Sequence, residues 1–286
     1  MAEARCPASC GELIQGWVLG SEKLISCPID WFSTVEVCDG IPETAERPRM
    51  REALKRVLRH FDLPQEWHQM LRIRFDSTIP VAKGMASSTA DIAATAMATA
   101  RHLHKPLTEQ EIADICLQIE PTDSTIFRDL TLFDHNTGDT RISHTWSPAL
   151  NILILESNQQ LITADYHRLD RRHALLANAR KLEQSWRYFQ EAAQRDDIYK
   201  LGQATTLSAE ASQSILPKPA FNKLLQLIES HDLYGLNVAH SGTVVGLFFD
   251  HHQHDIELIS REISELQLDR LYPHQHISRM VTGGIR

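Results

Sequence analysis

Residues 79–103 read IPVAKGMASSTADIAATAMATARHL, a short loop with Gly84, two serines and a threonine running into a series of alanines. Pro80 and Gly84 mark the loop, and residues 91–104 hold almost nothing that breaks a helix. Ser87 or Ser88 is placed to cap the first turn. A helix begun in this way presents unpaired backbone N–H groups and partial positive charge, which suits phosphate. A capped, alanine-rich helix packed tightly on a sheet has the same pattern, so this segment alone leaves both uses open. The chain has no G-x-x-x-x-G-K-[ST] and no G-x-G-x-x-G, which excludes a P-loop and a dinucleotide fingerprint.

Phosphoryl transfer needs two parts besides a phosphate cradle: oxygens to hold Mg²⁺ and a group facing the nucleophile. The segment IEPTDS offers Glu120 and Asp123 around Pro121 and Thr122. Pro121 ends the preceding helix and projects the next carboxylate from a rigid turn. Asp123 can equally serve as the cap of the following turn. A third segment, NVAHSGTVVGLFFD, sets Ser241, Gly242 and Thr243 between two apolar runs. Glycine there permits close backbone approach, to a ligand or to another element, although a plain hairpin turn reads the same way.

The surrounding elements must bring these segments together. Short apolar stretches at 12–19, 23–28 and 31–38 predict three hairpin-connected strands. In RPRMREALKRVLRHF, Met50, Ala53, Leu54, Val57, Leu58 and Phe61 fall at helical spacing, with Pro48 suited to the first turn. LRIRFDS alternates apolar and polar residues and delivers a half-buried strand straight into the glycine loop. Thr108 and Glu111 form a capping-box pattern for the next helix. Strands are expected at 139–146 and 151–156, joined through Pro148, then mainly helix over 164–214 with a break near Asp196. Helix 221–230, strands 236–240 and 243–249, helix 255–266 and strand 277–281 complete the pattern. The class is α+β, with a C-terminal split-βαβ unit and a boundary near residue 158, giving domains 1–158 and 159–286.

Composition narrows the function. A chain of 286 residues builds a sizeable core, and a net charge of −8 argues against broad nucleic-acid binding. No apolar run approaches the roughly 20 residues of a membrane helix. The start, MAEARCPASCGE, lacks a signal-peptide layout, so a cytoplasmic protein is expected. Five cysteines without a C-x-x-C pair suit reduced thiols, and Cys6 and Cys10 have no second ligand pair at zinc-like spacing. His251, His252 and His254 lie in a polar turn and read as a solvated loop.

Taken together, the three segments resemble those of the GHMP kinases, the galactokinase, homoserine kinase and mevalonate kinase family. PVAKGMASSTAD is similar to its phosphate-loop pattern P-x-x-x-G-L-G-S-S-A-x, CPASCGELIQG stands at its first motif, and AHSGTVVGLF at its third. The resemblance runs along essentially the whole chain. It implies an N-terminal lobe like domain 2 of ribosomal protein S5, a ferredoxin-like C-terminal lobe, and an active site between them. ATP and Mg²⁺ are the implied cofactors. Pro80, Val81, Ala82, Lys83, Gly84, Met85, Ala86, Ser87 and Ser88 would wrap the phosphates, with Ser241 and Gly242 closing the site. Ser88 and Glu120 would ligate the metal, with Glu111 as an alternative to Glu120. Asp123 would be the base, and Lys83 would neutralise charge. RCPASCGELIQG together with IEPTDSTIF is similar to the branch that phosphorylates L-threonine for the aminopropanol linker of cobalamin. Homoserine or another small alcohol, or metabolite binding without catalysis, are the alternatives. Glu12, Asp30 and Arg128 are candidates for the charged groups of an amino-acid acceptor. The reading admits a homodimer and needs no nucleic-acid or membrane partner. The sequence departs from the family pattern at Ala86, Ser9, Gln15 and Ala239–His240, and Ala86 in place of glycine calls for a negative φ there.

Overall fold

The N-terminal residues build a two-stranded ribbon of β1 (Ala2–Val18) and β2 (Ser21–Asp39). Leu19 and Gly20 turn it with φ of 50° and 88°, the all-positive pattern of a two-residue hairpin loop. In this computed structural model, residues 1–159 and 170–286 are described. Three strands are expected here, but the segments at 23–28 and 31–38 run together as β2, and β1 starts at Ala2. Register shifts between Pro7 and Ile14 absorb Pro7 and Gly11, and Pro28 pairs with Ser9 at one of them. Bulges of this kind let a strand bend past residues that would otherwise end it.

The ribbon anchors one antiparallel sheet in the order β5-β4-β2-β1-β7-β8-β6-β9, with β3 (Leu71–Ser77) on the second half of β2. β4 (Leu130–Phe133) joins the first half of β2 through Leu24 and Phe133, and β5 (Arg141–His144) follows it. On the other side, Glu12 of β1 pairs with Val238 of β7 (Gly235–Val238). β8 (Val245–Phe249), β6 (Asn151–Glu156) and β9 (His274–Arg279) complete the order. β4 has no counterpart in the expected strands, being four residues long. β6 matches its expected span, while the turn between β7 and β8 is longer than predicted.

α1 (Pro48–His60) buries the predicted stripe of Met50, Ala53, Leu54, Val57 and Leu58. α2 (Ser87–His102) packs on β1, β2 and α1. Ala90, Ala93, Ala94 and Ala98 are fully buried, so small side chains let α2 lie close to the sheet. A leucine at any of them would overpack the contact at a cost of about 1–3 kcal/mol. Thr108 and Glu111 close the predicted capping box of α3 (Glu109–Leu117).

In the second half come α4 (Arg172–Ala177), α5 (Ala179–Arg195) and α6 (Ile198–Ser212). The expected break is at Asp196, whose φ is 53°, and Asp197 restarts the helix by accepting from the Lys200 amide. Residues 164–169 of the expected helical region lie outside the described residues. α7 (Phe221–Ser230) and α8 (Ile256–Glu265) cover β6–β8 through Leu224, Leu227, Ile259 and Ile263. Among the described residues, no helix is long and apolar enough to cross a membrane.

Candidate active site

β3 hands the chain to the glycine loop, which a set of backbone contacts holds in place. Thr243 and Val244 both donate their amides to the Lys83 carbonyl, at 2.9 and 3.2 Å, and Ser9 donates to Met85 at 3.1 Å. Gly84 has a φ of 78°, and a Cβ there would stand 2.4 Å from Ala239 Cβ. A Cβ on Gly242 would lie 2.2 Å from both Gly84 N and Lys83 O. The two glycine turns therefore touch backbone to backbone, and the late turn acts as the bed on which the early one rests.

Ala86 does not have the negative φ expected of it. Its φ is 56° and that of Ala82 is 60°, so two alanines sit in the left-handed region. Each such residue costs on the order of 1–2 kcal/mol, a strain that persists only where the surroundings impose it. Ala86 is also the N-cap of α2 and has no side chain to offer as a cap. The predicted capping by Ser87 or Ser88 does not occur, because both lie inside the first turn. Among the described residues no side-chain cap is made to the first amides of α2, its first turn holds no acid, and its N-terminus lines a cavity of about 240 Å³.

Across that cavity stands the turn 120–123. Thr122 donates its amide to His135 O at 2.9 Å, and Ser124 and Ser26 exchange amide-to-hydroxyl bonds at 3.0 and 2.9 Å. Asp123 starts a single 3₁₀ turn at Ser124–Ile126 but makes no side-chain capping bond to it. Its carboxylate instead accepts from the Thr89 hydroxyl at 3.0 Å, and its amide donates back to Thr89 at 3.2 Å. Thr89 belongs to the first turn of α2, so the carboxylate is tied directly to the candidate phosphate cradle. Desolvation raises the Asp123 pKa above the usual aspartate value, while the Thr89 bond and His240 pull it back. That direction makes it a better proton acceptor than a free aspartate.

Ser88 and Glu120 are brought together by a residue that sequence reasoning did not single out. Arg49, in the first turn of α1, donates to Ser88 Oγ at 3.1 Å and pairs with Glu120 at 3.0 Å. A hydroxyl and a carboxylate oxygen are the hard donors that Mg²⁺ takes alongside phosphate oxygens and water, so these two fit such an ion. Burial raises the Glu120 pKa, against the Ser88 hydrogen bond and the Arg49 charge. Glu111 is engaged elsewhere, accepting from the Thr108 amide and hydroxyl in its capping box. A second cavity of about 340 Å³ adjoins the first through Arg49, Val81, Ser87 and Ser88.

The expected loop residues divide. Val81, Ala82, Gly84, Met85, Ala86, Ser87, Ser88 and Ser241 line the cavity; Pro80, Lys83 and Gly242 do not. Lys83 points elsewhere. Its ammonium turns away from the cavity and is buried, donating to the carbonyls of Ser157 and Gln159 and pairing with Glu156 at 3.4 Å.

Glu12, His135 and His240 also line the cavity. Glu12 is buried, and its Oε2 has no hydrogen-bond partner. Burial and the neighbouring Asp123 push its pKa well above the usual glutamate value. Lys218 is buried behind it, donating to Gly242 O at 2.7 Å, and desolvation lowers its pKa to about 7. Asp30 is paired with Arg279 at 2.8 Å and Arg128 packs beside Gly284, so neither reaches the cavity. His240 meets Glu22 at 3.0 Å, Arg171 meets the other Glu22 oxygen at 2.9 Å, and the His135 and His240 rings stand edge to face at 4.8 Å. Burial works against the Glu22 carboxylate, yet His240, His135 and Arg171 together draw its pKa down to about 2. Glu22, His135 and His240 are also the one group among the described residues whose ligand atoms cluster closely enough for a metal, within 4.8 Å.

The remaining singled-out residues are structural. Cys6 and Cys10 are buried free thiols whose pKa values burial raises. His254 is buried, with hydrogen bonds to the backbone of Asp250 and Asp232, rather than solvated in its turn.

Comparison with known proteins follows the same lines. The family model for the GHMP kinases N terminal domain matches residues 49–127, and that for the GHMP kinases C terminal matches 189–275. An L-threonine kinase of Citrobacter freundii is 55% identical over 285 residues, covering 100% of this chain and 99% of its own length. An L-threonine kinase of Salmonella typhimurium is 54% identical over 286 residues, covering 100% and 95%. A homoserine kinase structure from Cytophaga hutchinsonii superposes with a TM-score of 0.72 at 13% identity, covering 100% of this chain and 96% of that one.

Proposed function

Because the chain belongs to the GHMP kinase family, we propose that it transfers the γ-phosphoryl group of ATP to the hydroxyl of L-threonine, giving L-threonine O-3-phosphate and ADP. The observation that carries this reading is the position of Asp123, tied through Thr89 to the first turn of α2 and facing the cavity its amides line. Identity of 55% to an L-threonine kinase over the full chain supports the acceptor. By the resemblance of RCPASCGELIQG and IEPTDSTIF, the product supplies the aminopropanol linker of cobalamin.

The residues divide the work in space. The uncapped amides of α2 hold the phosphates, and Ser87 and Ser88 bring hydroxyls to the same place. Ser88 and Glu120 hold Mg²⁺, which when bound neutralises phosphate charge and aligns the leaving group. Arg49, already between them, adds a guanidinium to the phosphate end. Asp123 orients the threonine hydroxyl and takes its proton as the new O–P bond forms and the bond to ADP breaks. Glu12 is the only one of the three candidate acceptor contacts that lines the cavity, and its unpartnered oxygen takes the threonine ammonium. Catalysis is then mostly positioning and charge placement, as expected for phosphoryl transfer.

The test is ADP release with L-threonine beside L-serine, L-homoserine and mevalonate, with the product read by phosphorus NMR. A clear preference for L-threonine is expected. Preference for any other acceptor overturns the substrate, and no turnover with any of them overturns the kinase reading.

A further inference from the structure

One residue belongs to both halves of the proposed site, the phosphate cradle and the base, and this inference rests on that reading of them. Thr89 is the third residue of α2, whose first helical bond runs from the Ala90 amide to the Ala86 carbonyl at 2.9 Å. The amides of Ser87, Ser88 and Thr89 precede that ladder and are left for phosphate. The Thr89 hydroxyl serves the acceptor side. It donates to Asp123 Oδ2 at 3.0 Å and accepts from the Asp123 amide at 3.2 Å. A hydroxyl has one proton and two lone pairs, so it makes both bonds at once. Thr89 is buried and lines the cavity together with Asp123. The GHMP phosphate-loop pattern has alanine at this place, and an alanine side chain makes neither bond.

We propose that Thr89 is a positioning residue for the base: by engaging Oδ2 it fixes the Asp123 carboxylate so that Oδ1 meets the acceptor hydroxyl. Among the described residues, Thr89 supplies the one hydrogen bond to this carboxylate, and it goes to Oδ2. The proton of the acceptor O–H passes to Oδ1 as the acceptor oxygen bonds to the γ-phosphorus, and the electron pair of the broken P–O bond leaves with ADP. A carboxylate free to turn would present either oxygen at any angle. One held by a hydroxyl that also grips its own backbone amide has its plane set before substrate arrives. Threonine suits the task because its branched Cβ restricts χ1. Since the amide and the hydroxyl belong to one residue, covalent geometry sets the spacing between cradle and base. The same bond lowers the Asp123 pKa, against the desolvation that raises it. The other titratable groups coupled to Asp123 are His240 from the β7–β8 turn, Glu12 and Cys6 from β1, and Glu120 from its own turn.

Thr89→Val keeps the shape and the branch and removes the hydroxyl. The kcat with L-threonine should fall ~10–100-fold, the loss of one hydrogen bond to a charged group, while the KM for ATP stays within ~3-fold. The acid limb of kcat/KM should move to higher pH, because the carboxylate loses a bond that favours its charged form. His240, Glu12, Cys6 and Glu120 are all present in the variant, so the movement belongs to Asp123. Thr89→Ser keeps the hydroxyl and should restore turnover to within ~5-fold of wild type. In an Asp123→Asn background, Thr89→Val should cost less than ~3-fold, since the base it orients is gone. Thr89→Ala, the residue of the family pattern, takes its place in each measurement if the valine variant does not fold. An unmoved acid limb, no recovery with serine, an equal loss in the Asp123→Asn background, or full turnover without the hydroxyl would each overturn the inference. Absence of threonine turnover in wild type would overturn the proposed function itself, a result separate from these.

Discussion

Replacing Asp123 by asparagine exchanges one oxygen for a nitrogen and keeps the shape, so it isolates the charge. The Thr89 hydroxyl that now donates to Oδ2 at 3.0 Å can donate to the amide oxygen instead. A general base contributes typically 10²–10⁴-fold to a rate, and kcat should drop by about that factor, equivalent to ~3–5.5 kcal/mol of barrier. Stability should move the other way. Desolvation holds the folded Asp123 pKa above its unfolded value, so above that unfolded value the ionised carboxylate weakens the fold increasingly as pH rises. Asparagine removes that penalty, along with repulsion from Glu12. The variant should therefore melt no lower than wild type at pH 7.5 while losing most of its turnover, with ADP affinity kept. Turnover comes from a coupled ADP assay, Tm from calorimetry and ADP affinity from titration calorimetry. Full turnover would refute the assignment of Asp123 as base. A large fall in Tm would refute the electrostatic reasoning, since it would mean the carboxylate stabilises the fold.

Lys83→Met should act on stability more than on nucleotide binding. Breaking its buried pairing with Glu156 costs on the order of 3–5 kcal/mol and lowers Tm by roughly 10 °C, whereas the KM for ATP stays within ~3-fold. Gly242→Ala drives a methyl to within 2.2 Å of the Gly84 amide and Lys83 carbonyl, which no rotamer relieves, and the displaced loop should lower kcat/KM by ~100-fold in the same coupled assay. Glu22 titrates near 2 in the fold against an ordinary value of 4.5, so its contribution is complete above 4.5 and is lost as pH falls toward 2. Glu22→Gln should therefore cost roughly 3 kcal/mol at pH 7 and flatten the fall in urea midpoint between those pH values.

Local signals made the framework of the site readable. The alternation of LRIRFDS, the stripe of α1, the Thr108–Glu111 box and the Asp196 break each depend on residues a few positions apart. So does the passage from glycine loop into the alanine helix, with the carboxylate turn set by Pro121. Bulges hid the long strands, because a bulge is a property of the paired ribbon and not of either strand alone. β4 was too short to leave a period. The side-chain directions were not legible at all. Lys83 looks like a phosphate ligand from its place in the loop, and only the neighbouring carbonyls of Ser157 and Gln159 turn it aside. Arg49, Glu12 and His240 converge from three distant parts of the chain, and no spacing along the sequence encodes that meeting.

β6 bears on how the protein can be taken apart. With the proposed division at residue 158, this strand travels with the first fragment, while its hydrogen-bonded neighbours β8 and β9 belong to the second. Neither piece alone would own a finished edge: one would carry an orphan ribbon of Ile152, Leu153, Ile154 and Leu155, and the other a slot waiting for it. Co-expressed halves should accordingly find each other and reassemble, and each half made singly should be sticky. Because residues lining the cavity come from both sides of that seam, complementation of this kind would make turnover itself the reporter of fragment association.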